Sequence, residues 1–257
     1  MEEREEVFKG KEFNMARVAE EPKQIFPDMV SDCKEVFGND LVSIILYGSA
    51  AEGYYKPGKS DINFLIVLTE AGIDNLDRAF GKIGKWKKKK IATPLFLTEE
   101  YIRGSVDVYP IEYLNFQRHN EIVYGKNVLE DLVVDRKMLR LQCEREIKGK
   151  LLLLRRVFLE TEGKSRALKE VIAISLPTFM AIFEALRFLR GHEERADRRQ
   201  KIKEICEDFG LDKDLFDTLL SLKEDKLRLK DDELKELFKG YLKQVRDLAI
   251  KVDRMEV

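Results

Sequence analysis

Histidine is almost missing from this chain: two in 257 residues, His119 and His192, far apart and beside charged neighbours that suit surface or capping roles. Cysteine is nearly as scarce. Cys33, Cys143 and Cys206 form no CxxC pair and an odd count, which excludes both a zinc-finger ligand set and a disulfide framework. Each lies among apolar residues at helical spacing, so core packing is expected of them. Charge of one sign is not in excess either: 47 Lys plus Arg stand against 48 Asp plus Glu, a net charge of -1, although 37% of residues are charged. That near-cancellation argues against a general nucleic-acid binder, which carries a net basic field. No run of about 18 apolar residues occurs, so no membrane span is expected. The opening MEEREEVFKG is acidic and lacks the apolar segment of a secretory signal. These absences together point to a reducing cytoplasm. What is present is 44% hydrophobic residues, enough for real cores. At roughly 150 residues per domain, the length suits two domains or one large one.

The character of the sequence changes near residue 130. Before it, β-rich runs alternate with helical stretches; after it the helical period takes over. Ile25, Phe26, Met29, Val30, Cys33, Val36 and Phe37 repeat at helical spacing and stop at Gly38. Four strands are predicted: LVSIILY (41–47), DINFLIVLT (61–69), TPLFLT (93–98) and VYPIEYLNF (108–116), the last interrupted or begun by Pro110. Ile73, Leu76, Phe80 and Ile83 predict a helix broken near Gly81 and Gly84, and Thr98 a cap for a short helix through Glu99 and Glu100. Helices are then predicted over 135–160, 165–190 (with Pro177 inside it), 198–209, 212–223 and 231–254. The stripe Phe179, Phe183, Leu186 and Leu189 suits a bundle core. The expectation is an α/β (α+β) domain with a mixed sheet over 1–130, followed by an all-α antiparallel helical bundle over 131–257.

Two motif matches mislead. Gly53-Tyr54-Tyr55-Lys56-Pro57-Gly58-Lys59-Ser60 fits the phosphate-binding G-x-x-x-x-G-K-S pattern, but that loop needs a strand before it and a helix opening directly after it. Here Ser60 leads into a β-rich run. Gly81-Lys82-Ile83-Gly84 imitates the GxxG clamp of single-strand binders, yet glycines three apart beside lysines read as a helix end. The run Lys85, Lys87–Lys90 around Trp86 reads as a solvated helix end that could meet a polyanion.

A stronger constellation flanks the false loop. One hydrophobic strand ends in Tyr47-Gly48-Ser49, and after eleven intervening residues comes Asp61-Ile62-Asn63, opening another. Gly48 permits a turn with close backbone approach. Ser49 offers a hydroxyl and an N–H at a helical start, which suits an anion. Asp61 and Asn63 alternate with an apolar residue, so their oxygens share one face. Hard oxygen ligands beside a phosphate-holding turn make a Mg²⁺–triphosphate site.

YGSAAEGYYKPGKSDINFLIV resembles the nucleotidyltransferases of the polymerase β superfamily. It is especially similar to the aminoglycoside (kanamycin- and streptomycin-type) members, over about residues 40–116. The resemblance implies transfer of an NMP from a Mg²⁺-bound NTP to a hydroxyl of a small-molecule acceptor. In that scheme Gly48, Ser49 and Ser60 hold the nucleotide, Asp61 and Asn63 ligate metal, and a third acid serves as metal ligand or base. Glu112, an acid between hydrophobics in PIEYL, matches the third acid best; Asp107 competes with it. Asn63 departs from the pattern, since family members carry an acid there. An amide oxygen is only a dipole, so a catalytically impaired nucleotide-binding or regulatory protein stands as an alternative. A protein-modifying transferase of toxin–antitoxin type is another. An RNA nucleotide-adding enzyme has only the lysine run in its favour. The resemblance also implies a homodimer.

Overall fold

The computed structural model describes residues 19–192 and 196–257, so the opening MEEREEVFKG lies outside the described residues. The chain sorts into two compact units: residues up to Glu99 with Asn120–Asn127, and Glu100–His119 with Val128–Val257. The helical unit therefore takes in a segment N-terminal to residue 130.

In the first unit β1 (Leu41–Tyr47) is central, which explains its unbroken apolar run: Ile44, Ile45 and Leu46 are buried. It pairs antiparallel with β2 (Asn63–Leu68) on one side and with β4 (Asn120–Gly125) on the other. β2 pairs in parallel with β3 (Leu95–Thr98), giving the order β3-β2-β1-β4 and the mixed sheet that was expected. The helix α1 (Phe26–Phe37) contributes Met29, Cys33 and Phe37 to a core shared with Ile44, Leu46, Phe64, Ile66 and Trp86. Burial pushes the Cys33 thiol up to about 12, as packing rather than reactivity requires.

Three local expectations need correction. The helical stretch after β2 is not broken at Gly81 and Gly84. After α2 (Glu70–Ile73), α3 (Phe80–Lys88) runs through both glycines. Its anchor is buried Asp32 of α1, which accepts from Trp86 Nε1 at 3.1 Å, Lys85 Nζ at 2.7 Å and Lys82 Nζ at 3.2 Å. Burial pushes the Asp32 carboxyl upward, but these donors outweigh it and hold it below the usual range. Secondly, VYPIEYLNF is not a strand: after α4 (Glu99–Gly104), α5 covers Pro110–Arg118. Pro110 sits in its first turn, where a missing N–H costs nothing and a fixed φ helps. Ile111 and Leu114, three apart, bury together against the helical core. Thirdly, the fourth strand is the next segment, NEIVYG. Its register on β1 is fixed by Ser43, whose hydroxyl reaches the carbonyls of Tyr124 and Lys126 at 3.0 and 2.8 Å. Gly125 closes that strand because a Cβ there would lie 2.1 Å from the Val42 carbonyl oxygen.

The helical unit holds α5, α6 (Arg136–Glu160), α7 (Ser165–Arg190), α8 (Arg198–Phe209), α9 (Lys213–Lys223) and α10 (Asp231–Asp253). Asp135, Asp197 and Asp212 cap α6, α8 and α9 by accepting from Met138, Gln200 and Leu215 N–H groups. α7 packs on α5, α6, α8, α9 and α10, and Phe179, Phe183, Leu186 and Leu189 are buried in the core. It is the one described helix long and apolar enough, by length and composition, to cross a membrane; half of that stretch is buried inside the unit. Cys143 and Cys206 are buried here too.

α7 also carries a buried carboxylate, Glu184, with no exposed surface. Arg118 of α5 pairs with it, Lys201 of α8 lies at 2.8 Å, and Arg187, one turn on, at 3.1 Å. Burial pushes Glu184 up, but His119, Lys201 and Arg118 outweigh it and hold the carboxyl well below its ordinary 4.5. A carboxyl depressed on folding stabilises the native state above its unfolded value and loses that contribution as pH falls. The urea midpoint of the chain should therefore fall as pH drops through 4.5 and below. Glu184→Gln should be less stable at pH 7 by about 3 kcal/mol, since it strands buried cations, and should show a flatter pH dependence. Equal midpoints for variant and wild type across that window would remove Glu184 as the cause.

Candidate active site

At the end of β1 the chain turns sharply. Gly48 has φ 72, and the single helical turn Gly48–Ala50 follows. The N–H groups of Ala51 and Glu52 both donate to the Gly48 carbonyl, at 2.9 and 3.0 Å, and Tyr54 N–H donates to Ser49 at 2.8 Å. The N–H groups of Ser49 and Ala50 open this turn and have no acceptor within it. The antiparallel register sets Tyr47 opposite Asn63. A Cβ on Gly48 would lie 3.3 Å from Asn63 Nδ2, so the glycine turn and the head of β2 are in direct apposition. Across β1 the same row continues to Asn120, opposite Tyr47.

Asp61, Ile62 and Asn63 alternate as the sequence predicts: Asp61 is exposed, Ile62 fully buried and Asn63 half-buried. A second segment holds this motif in place. Ile62 N–H donates to the Lys90 carbonyl at 2.9 Å, Ala92 N–H donates to the Ile62 carbonyl at 3.0 Å, and Ile62 bridges in parallel to Ile91. From the other side, the loop before Asp61 closes on itself. Ser60 Oγ accepts from Lys56 N–H at 3.0 Å, and Ser60 N–H donates to the Lys56 carbonyl at 2.8 Å. The hydroxyl oxygen of Ser60 is thus taken up in shaping the loop that presents Asp61. No helix follows Ser60, which leads through Asp61 into β2. Nearby, Tyr55 donates its hydroxyl proton to the Ala19 carbonyl at 2.9 Å. Burial, and then the negative charge of Asp61, raise the Tyr55 phenol.

The two candidates for a third acid lie in the helical unit, and neither is on a strand. Glu112 is exposed in the first turn of α5, where its Oε2 accepts from Gln142 Nε2 at 2.8 Å. Gln142 reaches the start of α5 a second time, its Oε1 accepting from Ile111 N–H at 2.7 Å. Asp107 is exposed in the turn between α4 and α5. β4, the strand actually present, bears Glu121, but that carboxylate pairs with Lys23 at 2.8 Å.

Among the described residues no group of three or more His, Cys, Asp or Glu side chains gathers as a metal site. At the head of β2 the donors are one carboxylate, Asp61, and one amide, Asn63. That set fits a single Mg²⁺ brought in on phosphate oxygens, an ion content with one or two protein ligands. It does not fit a two-metal centre held by protein carboxylates.

Residues 28–129, which contain the whole of this constellation, match the family model of a nucleotidyltransferase domain. No curated protein matches the chain. Among solved structures it is similar in fold to the spectinomycin adenyltransferase of Enterococcus faecialis, determined with ATP and spectinomycin. The TM-score is 0.53 and the identity 12%, over 87% of this chain and 99% of that one. The likeness in fold takes in residues of both the α/β unit and the helical unit, while the match to a nucleotidyltransferase domain is confined to residues 28–129.

Proposed function

We propose that the chain transfers a nucleoside monophosphate from a Mg²⁺-bound NTP to a hydroxyl of a small-molecule acceptor, with pyrophosphate leaving. The apposition of the Gly48–Ser49 turn and the Asp61–Asn63 strand head carries the reading. Gly48 lets the backbone come close to phosphate, and the Ser49 N–H and hydroxyl donate to its oxygens. Asp61 would hold the metal, with the Asn63 amide oxygen as a weaker second ligand. A Mg²⁺ ion held there would supply positive charge to offset that of the triphosphate and the leaving pyrophosphate. The fold shared with an enzyme crystallised with ATP and spectinomycin supports ATP as the first nucleotide to try and polyhydroxylated small molecules as acceptors. NTP supply makes the cytoplasm its place of work.

The test is pyrophosphate release by the full chain across the four NTPs, with a panel of small hydroxyl compounds. Release that depends on both NTP and acceptor supports the reading; none with any pairing sinks it. Glu112→Gln accompanies it: if Glu112 takes the acceptor proton, release drops by about 10²-fold or more, and unchanged release removes it. A second reading, nucleotide binding without turnover, is carried by the single carboxylate at the strand head. It predicts metal-dependent NTP binding and no pyrophosphate.

A further inference from the structure

The lysine run along α3 and just beyond it divides into two groups once its partners are seen. Lys82 and Lys85 are spent on Asp32, Lys82 also on Glu35 at 2.7 Å, and Lys89 on Asp28. Lys87, Lys88 and Lys90 are exposed and form no ion pair among the described residues. One of these three is set apart by the backbone. Lys90 has φ 61, rare for a residue with a side chain. Its carbonyl accepts the N–H of Ile62, the residue between Asp61 and Asn63. Because Ile62 is level with Ile91, Asp61 is level with Lys90 and Asn63 with Ala92. Adjacent strands are about 4.8 Å apart, so the Lys90 backbone is the next one over from the metal-ligand motif. Ile62 and Ile91 are both buried, so the core takes the residue between each flanking pair and leaves Asp61 and Lys90 on the solvent side.

Resting on the nucleotidyl-transfer reading, we propose that Lys90 binds the polyphosphate of the NTP held at Gly48, Ser49 and Asp61. A triphosphate brings about four negative charges, and a single Mg²⁺ leaves roughly half of them unmet. A cation beside the lone carboxylate answers that remainder where a second metal has too few ligands. The left-handed backbone at residue 90 keeps its carbonyl on Ile62 while the side chain stays exposed, so one residue both holds the motif and serves its ligand.

The experiment is calorimetric titration of the full chain with Mg-ATP, with pyrophosphate and with adenosine. The proteins are wild type, Lys90→Gln, Lys90→Arg, Lys90→Asn and Lys87→Gln. Asparagine tolerates a positive φ, so Lys90→Asn keeps the turn even where glutamine strains it. Loss of one charge-assisted phosphate contact should weaken Mg-ATP and pyrophosphate alike by about tenfold in Lys90→Gln and Lys90→Asn. Adenosine affinity should be unchanged, Lys90→Arg should restore binding, and Lys87→Gln should match wild type. Wild-type affinity in both Lys90→Gln and Lys90→Asn overturns the proposal while leaving the nucleotide reading intact, as does equal weakening by Lys87→Gln. If wild type binds neither Mg-ATP nor pyrophosphate, the nucleotide reading itself falls and takes Lys90 with it.

Discussion

Asp61→Asn removes nucleotidyl transfer: pyrophosphate release should drop by roughly 10³-fold or more, the scale on which losing an electrostatic anchor for the transferring group is felt. Asp61 is the only carboxylate at the head of β2, and its neighbour two residues on is already an amide. With both positions amides, nothing with a formal negative charge holds a cation between this strand and the Gly48–Ser49 turn. The side chain is exposed, and Ile62 next to it keeps its place through the Lys90 and Ala92 backbone bonds. Stability should therefore stay within about 0.5 kcal/mol of wild type. The charge is also felt at Tyr55, whose phenol Asp61 helps to raise, so the Tyr55 titration should move down in the variant. Transfer within threefold of wild type, with the Tyr55 shift present, would mean the metal binds elsewhere.

What the sequence reveals of this site is what is local in it. The Gly48 turn, the alternation of Asp61 and Asn63 about the buried Ile62, and the strands on both sides follow from residues within a few positions of one another. The third acid does not. Its placement on a strand follows from reading VYPIEYLNF as one, where Ile111 and Tyr113 alternate with polar neighbours at a strand period. What decides for a helix is Pro110 in the first turn and the burial of Ile111 and Leu114 in the helical core, a contact made with distant segments. β4 was missed because NEIVYG is short and only half-buried, and its identity lies in its pairing with β1, some 75 residues earlier. The lysines are the same lesson in charge. A run of them looks like one solvated patch until Asp28, Asp32 and Glu35, three and four apart on α1, take some and leave Lys90 beside the motif.

Asn63→Asp tests whether the amide is the missing charge. Asparagine and aspartate have the same shape, and the side chain is half-buried against Gly48 and level with Tyr47, so the change alters charge and little else. Without metal, a carboxylate on the same face as Asp61 adds like-charge repulsion, which should lower the melting temperature of the variant at pH 7 and low ionic strength. Mg²⁺ should reverse that loss, because two carboxylates at a strand head make a better divalent site than a carboxylate and an amide. Wild type should gain little from Mg²⁺ until NTP is added. If full first-sphere charge is what limits the reaction, pyrophosphate release should rise by about 10- to 100-fold in the variant. The wild-type rate then divides the readings. Slow, NTP-dependent release in wild type with a gain in Asn63→Asp makes this a working transferase held at low turnover by one residue. No release and no metal-dependent NTP binding in wild type, with both gained in the variant, makes position 63 the place where a nucleotidyltransferase site lost its chemistry. No gain in metal response or rate would show that the charge at position 63 is not what sets turnover, and would return attention to Asp61 and to the phosphate role proposed for Lys90.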